Sequence, residues 1–222
     1  MIYVTGDTHG DQSRFVYSSE EKRWTEKDVV IVCGDFGFIF NDDYAEKCFL
    51  DYLENRPYTL CFIDGNHENF AAISRYPVEE WNGGKVHRIR KNILHLMRGQ
   101  IFEIQGHSFF TFGGAYSIDR YMRQKDLSYW EEEISSDTEY KEAVSNLKDH
   151  DMKVDYILTH TAPKEMVLRM GYNPEPKEWE LEGFLEYVMY EVVHKHWYCG
   201  HWHQDRDVSD KFTVLWYDIR MI

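Results

Sequence analysis

Asp28-Val29-Val30-Ile31-Val32-Cys33-Gly34-Asp35 decides the fold. An unbroken apolar run rich in β-branched residues reads as a strand buried on both faces, because a strand with one wet face would alternate. Working outward, residues 1–6 form a similar short run, and residues 58–63 form another, stopped by Asp64-Gly65. Between them, residues 12–24 can be helical, and residues 43–55 carry Tyr44, Cys48, Leu50 and Leu53 at roughly helical spacing. A second helix over 68–75 is ended by Pro77. Strand alternating with helix is the grammar of a parallel sheet.

The second half changes character. Asn82-Gly83-Gly84 signals a turn, and residues 93–97, 100–104 and 108–112 follow at short spacing with Gln105-Gly106 as a tight turn. These read as antiparallel hairpins. Residues 113–137 form a polar and aromatic loop too long to be idle, with the size of a substrate lid. Helices are predicted over 139–150 and 179–194, and strands over 154–158, 197–199, at Val208 and over 212–217. No linker interrupts the chain, so residues 1–222 are expected to form one α/β domain. Its mixed halves suggest two sheets face to face with helices outside.

The composition of the 222 residues, 43% hydrophobic and 29% charged, is that of a globular protein. A net charge of -14 disfavours extended nucleic acid as a partner and confines any such contact to a local site. No stretch approaches the roughly 18 apolar residues of a membrane span, and the first residues show no secretory pattern. Cys33, Cys48, Cys61 and Cys199 lack CxxC spacing. Cys33, Cys61 and Cys199 end apolar runs and read as buried thiols, which fits a reducing cytoplasm.

Residue types suited to binding metals fall at five junctions, each directly after a predicted strand. They are Asp7-Thr8-His9, Gly34-Asp35, Gly65-Asn66-His67-Glu68, His160, and Gly200-His201-Trp202-His203. The carboxyl ends of parallel strands form the binding edge of an open α/β sheet, so five distant segments converge there. Oxygen from Asp and Asn with nitrogen from His suits Mn, Fe(II) or Zn rather than calcium. Asp7, His9, Asp35, Asn66, His160, His201 and His203 are too many for one four-coordinate zinc, and about right for two ions sharing a carboxylate.

Read in order, GDTHG, CGDFG, DGNHE, LTHTAP and CGHWH resemble the five signature blocks of the calcineurin-like metallophosphoesterases, and the resemblance spans residues 6–203. It implies the four-layer α-β-β-α sandwich of two mixed sheets. It also implies two divalent cations, Mn2+ first, with Fe2+, Zn2+ or Mg2+ as alternatives. Asp7, His9 and His203 would hold one ion, Asn66, His160 and His201 the other, and Asp35 would bridge them. His67 would contact phosphoryl oxygens or protonate the leaving oxygen. The implied reaction is hydrolysis of a phosphoric ester by a metal-activated hydroxide, on a phosphorylated small molecule or nucleotide.

The chain departs from the family's phosphatase pattern GDxxDRG, because residues 34–40 contain no arginine. That tilts the expectation toward a diester over a monoester. Arg120 and Arg123 in the long loop are candidate substitutes for the missing phosphate ligand. Two alternatives are a nuclease of the same fold and a non-catalytic binding scaffold. His87, His95, His107, His150, His194 and His196 read as structural, Glu131-Glu132-Glu133 as a solvated run, and Trp130, Trp179, Trp197 and Tyr116 as buried aromatics before base-stacking platforms.

Overall fold

A computed structural model describes the protein over all residues, Met1–Ile222. In chain order the first half gives β1 (Ile2–Thr5), α1 (Ser13–Val16), β2 (Val29–Cys33), α2 (Tyr44–Glu54), β3 (Thr59–Ile63), α3 (Phe70–Ile73), β4 (Val78–Trp81), β5 (Gly84–Arg90) and β6 (Ile93–Leu96). The second half gives β7 (Gln100–Ile104), β8 (His107–Phe112), α4 (Asp137–Asp149), β9 (Tyr156–Thr159), α5 (Lys164–Met170), α6 (Trp179–Glu191), β10 (His196–Cys199), β11 (Arg206–Ser209), β12 (Phe212–Val214) and β13 (Arg220–Met221). A seven-stranded sheet runs β13-β1-β2-β3-β6-β5-β4, and a six-stranded sheet runs β11-β12-β10-β9-β8-β7. Both are mixed, with parallel centres and antiparallel edges.

Three apolar clusters define four layers. Val29, Ile31 and Cys33 of β2 meet Phe102, Phe109 and Leu158 of the other sheet, while Val30 and Val32 meet Phe15, Leu50 and Leu53 from α1 and α2. The third cluster packs Phe110, Ile157 and Trp197 against Ala143, Leu147, Leu185 and Val188 of α4 and α6. This is the α-β-β-α sandwich, and it explains why β2 is apolar throughout: both its faces are covered.

Several local expectations are corrected. The helix over 12–24 shrinks to α1 and a 3-10 turn, and Arg14 of α1 turns inward onto the carbonyls of Gly6 and Asp7. That over 68–75 shrinks to α3, because the Glu68 carboxylate accepts the Phe36 N–H and Asn69 becomes the cap. Helix α4 starts early on a Ser136/Glu139 capping box. Residues 93–97 and 100–104 do not form a hairpin: β6 joins β3 and β5 in one sheet, β7 pairs with β8 in the other. Arg98 and Gly99 carry the chain between layers, Gly99 with φ of 70° and so close to Ala143 that a side chain there would collide. Helix α5 and the β4–β5 hairpin were not anticipated.

Arg98 also locks the joint. Its Nε and Nη2 reach Asp64 Oδ2 at 2.7 and 2.5 Å, and it donates further to Ser135 Oγ and Glu132 O at 3.1 and 2.8 Å. Burial alone would raise the Asp64 carboxyl, but the Arg98 charge and His95 outweigh it and hold it well below the usual range. A depressed folded-state pKa stabilises the protein above the unfolded value of about 3.9, and that contribution is lost as pH falls below it. Asp64→Asn is therefore expected to cost about 3–5 kcal/mol at pH 7, by stranding a buried guanidinium. Urea unfolding across pH should show the gap from wild type constant at neutral pH and closing below about pH 4.

Candidate metal centre

Each of the five motif segments leaves the carboxyl end of a parallel strand. Asp7 and His9 follow β1, Asp35 follows β2 and Asn66-His67 follows β3, all adjacent in the first sheet. His160 follows β9, and His201 and His203 follow β10, adjacent in the second. Face-to-face packing brings the two rows together at one edge.

The side chains meet as two sets. His9 Nε2 lies 2.9 Å from His203 Nε2, and a ligating oxygen of Asp7 is within 4.8 Å of both. Asn66 Oδ1 lies 3.0 Å from both His160 Nε2 and His201 Nδ1, which are 3.3 Å apart. Between the sets, Asp35 Oδ2 is 3.5 Å from His9 Nε2 and 3.4 Å from His160 Nε2. All seven side chains therefore converge at this edge, with one Asp35 oxygen between the two sets.

Backbone geometry is bent to achieve this. Of ten non-glycine residues with positive φ, four are His9, Asp35, His201 and His203, at 47°, 50°, 67° and 47°. Left-handed backbone at such residues is uncommon and gathers at functional sites. A side chain at Gly65 would overlap the Asp35 carboxylate, so this position has room only for hydrogen.

The donor set suits divalent cations. Asp7 Oδ2 is buried without a hydrogen-bond partner. His160 Nδ1 donates to Cys33 O at 2.9 Å, which leaves Nε2 to face Asn66 and Asp35. Burial lowers His9 to about 4 and His201 to about 3, so both rings are neutral at pH 7 and offer lone pairs. Burial, with repulsion from Asp35, raises Asp7 to about 7 against the pull of His160. Burial opposes charge on His160, yet the carboxylates of Asp35 and Asp7 push it up to about 10. Buried carboxylates and imidazoles sharing protons in this way are a ready cation site.

The family model described as calcineurin-like phosphoesterase matches residues 1–205. The chain belongs to that family. A comparison with curated proteins finds no match. Membership of the calcineurin-like phosphoesterases implies metal-dependent hydrolysis of a phosphoester, and the ligand groups for it are in place. No helix of this phosphoesterase is long and apolar enough to cross a membrane.

The remaining site residues divide. His67 stands beside the ligands, its backbone N–H donating to Asp35 Oδ1 at 2.7 Å and its ring edge-on to His9 at 5.2 Å between centroids. Arg123 reaches it, with Nη2 at 3.0 and 2.9 Å from the two ring nitrogens. Arg120 does not: its Nε bonds Glu133 Oε1 at 2.6 Å, and its guanidinium lies over the rings of Tyr116 and Tyr129. The expectation that Arg120 faces substrate is thus corrected, since a buried carboxylate claims it.

A cavity of about 680 Å³ opens on the ligands, bounded by Asp35, Asn66, His67 and His201 on one side and Tyr116, Tyr172, Glu178 and Trp202 on the other. Sequence reading missed several supports. Glu133, taken as part of a solvated run, is fully buried and accepts from Ser117 N and Oγ at 2.7 and 3.0 Å. Ser117 Oγ in turn accepts from Asn66 Nδ2 at 3.0 Å, which turns Asn66 Oδ1 toward the histidines. Glu178 accepts from Tyr116 N, and burial pushes its carboxyl up to about 7. Among the aromatics, Trp130 and Trp197 are core, Trp179 is exposed and Tyr116 lines the cavity.

Ser117→Ala leaves every ligand in place but frees the Asn66 amide to turn. Isothermal titration with Mn2+ is expected to show a roughly 10–100-fold loss of affinity, and thermal unfolding a loss of about 1–3 kcal/mol from the buried Glu133 and Asn66 groups left a partner short.

Proposed function

We propose that this phosphoesterase uses two divalent cations, with Mn2+ as first candidate, to hydrolyse the ester of a phosphorylated small molecule or nucleotide. Asp7, His9 and His203 would hold one ion, Asn66, His160 and His201 the second, and Asp35 both. The observation that carries the reading is the single Asp35 oxygen lying about equally far from a nitrogen of each set. Cations held there would act as Lewis acids on a phosphoryl oxygen and lower the pKa of an attacking water.

The chain's own residues supply the rest. Asp35 is fixed by the His67 N–H, so its second oxygen keeps its direction. The His67 ring sits at the cavity wall beside His9. Burial, reinforced by Arg123 and opposed by Asp35, lowers its pKa, so at neutral pH it carries one N–H. That form supports hydrogen bonding to a phosphoryl oxygen over proton donation to the leaving group. The cavity admits a small molecule, while the net charge of -14 weighs against a long strand. The tilt toward a diester rested on a missing guanidinium, and Arg123 now supplies one beside His67.

Chelator-treated protein is expected to turn over neither aryl phosphate monoesters nor diesters, and two equivalents of Mn2+ should restore activity. His67→Ala is expected to cut kcat about 10²–10³-fold with metal content unchanged. Two tightly bound equivalents without turnover of either ester class would overturn the reading in favour of a binding scaffold.

A further inference from the structure

We propose that Arg123 is the phosphate clamp of this site, delivered by the loop over residues 113–136, and that it makes a dianionic phosphomonoester the preferred substrate class over a diester. This rests on the phosphoesterase reading above for its substrate, and on geometry for its residue.

The two ring nitrogens of an imidazole point in diverging directions, and in the neutral ring one carries a lone pair and the other a hydrogen. A donor nearly equidistant from both, at 3.0 and 2.9 Å, lies along neither. Arg123 Nη2 thus shares one N–H with the His67 ring without favouring either nitrogen. Its firm partner is Asp119 Oδ2 at 2.8 Å, with Nη1 reaching Ser128 O at 3.3 Å. Three of five N–H donors have partners, and the guanidinium has two left for an anion beside His67.

Position and rigidity support the role. The Arg123 side chain is 14% exposed, and Asp119 and His67 line the metal-facing cavity. The loop is no floppy flap at its base. Gly114 N bonds Asp64 O at 3.0 Å, Ser117 and Arg120 both close on buried Glu133, and Trp130 packs edge-on against Phe40. With Arg120 held by Glu133, Arg14 turned onto backbone carbonyls and no arginine in residues 34–40, Arg123 is the guanidinium that reaches the His67 ring. A planar fork matches two phosphoryl oxygens at once and gains most from a dianion. A diester offers one charge fewer, so the clamp discriminates between the classes.

The test compares wild type, Arg123→Ala and Arg123→Lys, each loaded with Mn2+ and verified for metal content and thermal unfolding. Inorganic phosphate binding is read by calorimetry, and kcat/KM is measured on an aryl phosphate monoester and an aryl phosphate diester. Arg123→Ala should weaken phosphate binding about 10–100-fold, as loss of charge-assisted hydrogen bonds does. It should lower monoester turnover at least about tenfold more than diester turnover, and Lys should rescue partially by keeping charge without the fork. Unchanged phosphate affinity and an unchanged monoester-to-diester ratio in a folded, metal-loaded Arg123→Ala protein would overturn the clamp while leaving the hydrolase standing. Arg123-dependent phosphate binding in a wild type that hydrolyses neither ester would overturn the hydrolase and keep the anion site.

Discussion

Asp7 and Asp35, each 1% exposed, stand within a few ångströms of each other at the edge where two sheets meet. Everything else in the molecule is arranged around that electrostatic liability. Two carboxylates out of water repel each other and forfeit hydration, and only positive charge close by can offset the cost. His160 provides a partial answer by holding a proton between them, and a divalent cation provides the fuller one. The site is thus built to be unfavourable alone, and its affinity for cations is the other side of that penalty.

Holding such groups in place demands structure that is rigid for other reasons. Three parallel strands of one sheet and two of the other end at the site, and their apolar runs are locked on both faces. Further supports are polar and buried. Arg14 Nη2 donates to the Asp7 carbonyl at 2.7 Å, Cys33 O orients His160, and the Glu133–Ser117–Asn66 relay orients an amide. The last two tie a site residue to an element remote in sequence, so the geometry there inherits the stability of the whole sandwich.

How much was legible follows from which signals are local. Strand β2 announced itself because five apolar residues in a row have few other homes, and the ligands because Asp, Asn and His cluster directly after such runs. The β4–β5 hairpin stayed hidden because Val78, Glu79 and Glu80 lie at an exposed sheet edge and carry no apolar alternation. The separation of β6 from β7 turned on Arg98 finding Asp64, a contact 34 residues away. Glu133 looked like its neighbours Glu131 and Glu132, and only the fold shows that it faces Ser117 and Arg120 while they face solvent. Acidic runs are uninformative about which member is turned inward. The Arg120–Arg123 pair was undecidable for the same reason, until tertiary contacts assigned one to Glu133 and the other to His67.

His9 and His203 touch although 194 positions separate them along the chain. A ribosome extending at about 5–20 residues per second delivers the later histidine roughly 10–40 seconds after the earlier one. Until the end of that interval the early side chains stand without His201 and His203 beside them. A complete donor set therefore exists only on a nearly finished polypeptide, and that edge of the sandwich closes late.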